Sequence, residues 1–220
     1  MAADNQQVLS LTPEAALAFL VAQAHALPAD RRVAIGIAGG PGTGKSTIAT
    51  QLVAALGPVA AYVPMDGFHM QHAKLEALGT VKDKGAPHTF EGEAFATFIS
   101  ELKTATGPVS GPGYSRAIED VVQNAFIIAA EARILVAEGN YLLLADPPWH
   151  GVRPQLDLSV FIDVPREKVR ARLVKRHAEH GLFSEERNRE HIERVDLANY
   201  DLVARSRPRA DIAIDLVTDL

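Results

Sequence analysis

The sequence predicts an α/β fold in which a mainly parallel, five-stranded sheet carries helices on both faces. Three observations support this. Short apolar segments alternate with amphipathic ones along the chain. One apolar segment runs through a glycine-rich turn into a helix. Two others end in an acid, Asp66 and Glu138, where the strand ends of a parallel sheet gather ligands. With 220 residues there is material for one sizeable core, so residues 1–220 are expected to form a single domain.

The elements follow in order. Thr12-Pro13-Glu14 combines an N-cap, a proline in the first helical position and an early acid, so residues 1–30 are expected to supply an N-terminal helix ending near Ala26. Leu17, Leu20, Val21 and Ala24 fall on one face of it. Val33 to Ala38 reads as a buried strand, and Lys45 to Leu56 as a helix stopped by Gly57-Pro58. Val59 to Met65 is a second strand, ending at Asp66. Residues 67–92 have no sustained period and read as a long loop with short helical pieces. Glu93 to Ala105 forms an amphipathic helix on Phe95, Phe98, Ile99 and Leu102. Two prolines and three glycines make Gly107 to Ile118 a loop. Phe126 to Ala129 is a short edge strand, and Arg133 to Glu138 a buried one. Asp157 to Val164 is a further strand, after which Pro165 opens a helix to His180. Ser184-Glu185-Glu186-Arg187 starts another, continuing towards Val203. Asp211 to Val217 closes the sheet.

Composition narrows the function. A formal charge of −5 gives no electrostatic reason for binding nucleic acid or an acidic membrane. The absence of cysteine excludes a disulfide framework, a thiolate metal site and a cysteine nucleophile. The chain shows neither a secretory pattern nor an apolar run of membrane-spanning length, so a cytoplasmic location is expected. Oligomeric state is open, with a homodimer as the commonest symmetric form.

The chemistry begins at the glycine-rich turn. Gly39-Gly40-Pro41-Gly42-Thr43-Gly44-Lys45-Ser46-Thr47 satisfies G-x-x-x-x-G-K-[ST] in the context its mechanism needs, after a buried strand and at a helix start. Backbone N–H groups there converge on phosphate oxygens. Lys45 supplies charge to the β- and γ-phosphates of a nucleoside triphosphate, and the Ser46 hydroxyl is placed for magnesium. This is the P-loop of an NTPase fold. No Asn-Lys-x-Asp or Thr-Lys-x-Asp segment appears, which favours ATP over GTP. Asp66 and Glu138 can each take the proton of an attacking hydroxyl or hold magnesium through water. The histidines form no zinc pattern, since His69 and His72 alone do not make a metal site.

Three further segments carry a resemblance. Met65-Asp66-Gly67-Phe68-His69-Met70, Lys84-Gly85-Ala86-Pro87-His88-Thr89-Phe90-Glu91 and Glu138-Gly139-Asn140-Tyr141-Leu142-Leu143-Leu144 resemble the phosphoribulokinase/uridine kinase group of P-loop kinases. Within it the chain is similar to type I pantothenate kinases and most similar to bacterial kinases labelled fructose transport system kinases, over residues 30–215. The resemblance implies an ATP- and magnesium-dependent transfer of the γ-phosphoryl group to a hydroxyl of a small metabolite. A sugar such as fructose is the first expectation, with pantothenate or a nucleoside next. It implies that Asp66 is the base beside the acceptor hydroxyl, that Lys84 contacts substrate or γ-phosphate, and that Glu138 joins Ser46 on the magnesium side. His69, Asn140 and Asn199 would contact the acceptor. Tyr114-Ser115-Arg116 is similar to the group's substrate loop, written Tyr-Asp-Arg or Tyr-Asp-His in many members and Tyr-Ser-His in pantothenate kinases, and matches neither version fully. Arg172 and Arg176, with Gly181 beyond, resemble the arginines of a lid spanning 166–183 that clamps the transferring phosphoryl group. Two rivals stay open at this point: a P-loop ATPase or nucleotide-dependent regulator with no metabolite acceptor, and a sensor that binds a metabolite without turnover.

Overall fold

The computed structural model describes residues 6–180 and 184–217. Its main sheet is parallel throughout, in the order β1-β8-β7-β2-β6-β3. The strands are β1 (Gln7–Leu11), β2 (Val33–Ala38), β3 (Ala60–Pro64), β6 (Ile134–Gly139), β7 (Leu158–Asp163) and β8 (Ile212–Leu216). Two more, β4 (Val109–Ser115) and β5 (Asp120–Ile128), pair antiparallel as a separate hairpin. The central strands β2 and β6 are buried at every residue, which is why both read as continuous apolar runs.

Helices cover both faces. On one side α1 (Pro13–Ala26), α2 (Lys45–Leu56), α5 (Arg166–His180) and α7 (Leu197–Ala204) pack over Ile35, Ile37, Val136 and Val160. On the other, α4 (Gly92–Thr104) and the segment from Tyr141 to Val152 enclose Phe95, Phe98, Trp149 and Leu135. Trp149 is fully buried, and its indole N–H donates to the Pro87 carbonyl at 3.0 Å, so the second core also holds the 84–90 segment in place. The short helices α3 (His72–Leu78) and α6 (Glu185–His191) lie outside these layers.

Three expectations need correction. The sheet has six strands, because Gln7–Leu11 adds an edge strand parallel to β8 ahead of the first helix. Its exposed positions alternate irregularly and bury too little to leave an apolar run. Gly107 to Ile118 is mostly strand, and Phe126 to Ala129 belongs to its hairpin partner and not to the main sheet. Pro112 is accommodated because the pairing register shifts between Gly111 and Gly113, where a proline costs no ladder bond. The helix expected from Ser184 to Val203 is interrupted by a π-helical turn at Ile192–Asp196. The loop over 67–92 carries α3 and three 3₁₀ turns, in keeping with the short helical pieces expected there.

Candidate active site

The phosphate loop spans the gap between the end of β2 and the start of α2. Gly42 and Gly44 take φ of +75° and +90°, left-handed conformations that a side chain would strain. Thr43 is buried, and its hydroxyl donates to the Gly40 carbonyl at 2.9 Å, so its side chain shapes the loop. A pocket of about 270 Å³ opens beside it, lined by Gly42, Gly44, Lys45, Ser46 and Thr47 and, from α5, by Arg172 and Arg176. Arg172 Nη1 lies 3.4 Å from the Gly42 carbonyl oxygen. Both arginines expected of the clamp therefore face the phosphate cradle, while Gly181 falls outside the described residues.

Glu138 sits on β6 next to the P-loop strand, in register with Ile37 of β2 and Pro64 of β3. Its two oxygens have different partners. Lys45 Nζ is 3.5 Å from Oε1, and the Tyr62 hydroxyl donates to Oε2 at 2.6 Å. Burial, and then the negative charge of Glu138, hold the Tyr62 phenol well above its ordinary pKa, so it keeps its proton. Sequence reasoning missed Tyr62. Register holds the signal: Tyr62 pairs with Val136, two residues before Glu138, and side chains two apart share a face.

Asp66 lies in a 3₁₀ turn at Met65–Phe68 that follows β3. This turn packs against the hairpin so tightly that a Cβ on Gly67 would lie 2.0 Å from the Pro112 carbonyl oxygen. The close approach brings the Tyr114-Ser115-Arg116 segment to Asp66: Arg116 Nη2 is 3.8 Å from Asp66 Oδ2. The His69 ring lies between Phe90 and Tyr114, with centroid distances of 3.9 and 4.6 Å, and its Nδ1 is 2.9 Å from the Asp66 carbonyl. Burial lowers the His69 pKa against the opposing pull of Asp66, which favours neutral imidazole. The Lys84 ammonium donates to the Glu119 carbonyl and sits 5.2 Å from the centre of the Tyr114 ring, with the Arg116 guanidinium at 5.9 Å.

Asn199 reaches this region indirectly. Its amide donates to the Gly85 carbonyl at 3.2 Å, and the Tyr141 hydroxyl donates to the same oxygen, so both tie down the Lys84-Gly85 loop. The Asn140 side-chain oxygen is buried and accepts no hydrogen bond from the described residues. Among those residues no group of three or more His, Asp and Glu could hold a metal ion unaided. Any divalent ion here would lean on phosphate and water for its remaining ligands, as magnesium does.

A P-loop opening a helix, a strand-end acid beside its lysine, and arginines facing the cradle from a second helix define a P-loop phosphotransferase. A model of the phosphoribulokinase/uridine kinase family matches residues 34–220, and the chain belongs to that family of small-molecule kinases. Among relatives, a Schizosaccharomyces pombe protein provisionally named uridine kinase is 33% identical over 195 residues, covering 84% of this chain and 83% of its own. A pantothenate kinase from Nitrobacter hamburgensis is 34% identical over 160 residues, covering 67% of this chain and 50% of the relative. Among solved structures, one from Silicibacter sp. TM1040 provisionally named fructose transport system kinase matches with a TM-score of 0.80 and 35% identity, covering 90% of this chain and 98% of that one. P-loop kinases of this family use ATP. No helix among the described residues is long and apolar enough to cross a membrane.

Proposed function

We propose that this chain transfers the γ-phosphoryl group of ATP to a hydroxyl of a small metabolite, with a sugar such as fructose as the first candidate acceptor. The observation that carries the reading is the phosphate cradle: Lys45, Ser46 and the loop glycines share one pocket with Arg172 and Arg176, and the Lys45 ammonium is 3.5 Å from the strand-end carboxylate of Glu138. Glu138 is in register with Pro64 at the end of β3, and the turn that follows carries Asp66 with Arg116 and His69 against it, so the proposed acceptor side adjoins the donor side.

The residues also fit magnesium. Ser46 and Glu138 offer hard oxygen donors beside the phosphate cradle, with room left for phosphate and water ligands. Bound there, the ion would neutralise charge on the β- and γ-phosphates. In the proposed reaction Asp66 orients the acceptor hydroxyl and takes its proton as the oxygen attacks the γ-phosphorus and ADP leaves. Lys45 and the loop amides hold the phosphates. Arg172 and Arg176, on the helix proposed as a lid, balance the charge that develops during transfer. Asn140 follows Glu138 by two residues at the end of β6 and is kept as a candidate acceptor contact, and Asn199 supports the loop that presents Lys84.

A hydroxy acid such as pantothenate is the second reading. Two cations, Lys84 and Arg116, flank the Tyr114 ring, a placement that suits a carboxylate on the acceptor. An acceptor panel of neutral sugars, nucleosides and hydroxy acids at fixed ATP, read by mass spectrometry for a phosphate adduct, separates the two. ADP formation independent of every acceptor would instead mark an ATPase. Asp66→Asn is expected to keep ADP affinity and lower kcat roughly 10²–10⁴-fold; undiminished turnover would remove Asp66 from the role of base.

A further inference from the structure

We propose that Tyr62 is a positioning residue for the metal side of the site, holding Glu138 in place while Lys45 changes partners from this carboxylate to nucleotide phosphate. The inference rests on the proposed role of magnesium. It starts from the two oxygens of Glu138, each with one partner: Lys45 at 3.5 Å and the Tyr62 hydroxyl at 2.6 Å. These contacts cannot have the same fate. The P-loop lysine is needed at the β- and γ-phosphates, so nucleotide binding draws its ammonium away from Oε1. The freed oxygen then faces the cradle, and the Tyr62 bond to Oε2 is what remains to hold the carboxylate.

Tyr62 is suited to that task. Its ring packs on the apolar cluster beneath α2, and β3 fixes its backbone in register with β6. A tyrosine held this way has far less freedom to lose than the long flexible chain of Lys45. In this bond the phenol O–H is the donor, and the carboxylate can only accept. Donation runs from Tyr62 to Glu138, which fixes one oxygen of the carboxylate and leaves the other turned towards the P-loop lysine. Partners that orient ligand groups from behind are worth roughly 10–100-fold in metal affinity.

Tyr62→Phe removes the hydroxyl and keeps the ring. ADP affinity measured in excess EDTA should stay within about twofold of the parent, whereas the Mg²⁺ concentration that half-saturates ADP binding should rise by about tenfold. Thermal unfolding of the variant confirms that it is folded. Glu138→Gln, alone and combined with Tyr62→Phe, completes a double-mutant cycle. In the Glu138→Gln background the second change should add little, because its partner has been altered already. A merely structural role predicts instead a lowered Tm with equal losses in both conditions and additive effects, which would overturn the proposal. A parental Mg²⁺ requirement in Tyr62→Phe, alongside a raised one in Glu138→Gln, overturns the role of Tyr62 alone. Parental requirements in both overturn the magnesium reading and this inference together. Tyr62→His, whose ring N–H can reach the same carboxylate, should recover part of the Mg²⁺ affinity.

Discussion

Gly67 shows how one residue holds the Asp66 turn against the hairpin that carries Arg116. A Cβ there would meet the Pro112 carbonyl at 2.0 Å, and backbone cannot yield as a flexible side-chain tip can. Gly67→Ala should therefore separate the Asp66 turn from the hairpin, costing about 1–3 kcal/mol by chemical denaturation. A larger proportional loss in kcat/KM is expected, because the turn also sets Asp66 against Arg116. Unchanged stability and activity would mean that hairpin and turn are not held together here. At this scale much of the site was legible. Lys45, Asp66 and Glu138 stand at strand ends or a helix start, and such positions are marked by local sequence. Tyr62 was not legible, because its role depends on a partner 76 residues away and on a shared strand face. Asn199 was legible as a polar residue of interest, but its bond to Gly85 depends on how α7 meets a loop distant in sequence.

Among the elements, regular ones declared themselves and strained ones did not. The amphipathic face of α4 and the buried runs of β2 and β6 repeat with helix and strand periods, so both were readable. The β4–β5 hairpin was hidden by Gly111, Pro112 and Gly113, which break a strand pattern yet exist for close packing: a Cβ on Gly111 would lie 2.4 Å from the Phe126 ring. The π turn at Ile192–Asp196 leaves no signal of period at all. It places Asp196 3.0 Å from His177 Nε2, with the His191 ring 5.7 Å from that of His177. Burial, its largest cause, lowers the His191 pKa despite the opposing charge of Asp196, and His177, Arg194 and Arg176 lower it further. A depressed folded-state pKa means that the unfolded chain takes up this proton first as pH falls below about 6.5. Stability contributed by neutral His191 is thus present above that value and lost on acidification; buried His69 acts in the same direction. The Tm should fall from about pH 7.5 to about pH 5.5, and His191→Gln should flatten that slope. An equally steep slope in the variant would remove His191 as a contributor.

The whole molecule places its ligand groups along one edge of a parallel sheet, where β2, β3 and β6 end together. That arrangement was legible from the alternation of strands and helices, while the sixth strand was not, since an exposed edge leaves little pattern. Because the phosphate loop, α2 and α5 all border the phosphate cradle, nucleotide bound there should stabilise the fold as a unit. A ligand that binds only the folded state at about 100 times its Kd adds about 2.7 kcal/mol. For a chain of this length each kcal/mol shifts the Tm by about 2–4 °C, so saturating ADP with magnesium should raise it by about 5–11 °C. Asp66→Asn should show the same shift, because Asp66 is proposed to serve the acceptor and does not line the phosphate pocket. Lys45→Met should lose most of it, because Lys45 faces the phosphates. A shift lost in Asp66→Asn and kept in Lys45→Met would reverse the assignment of donor and acceptor sides. The parental pattern combined with an absent phosphorylated product across the acceptor panel would leave a nucleotide site whose acceptor lies outside the classes tried, and would direct the search to larger or more acidic alcohols able to reach Lys84 and Arg116.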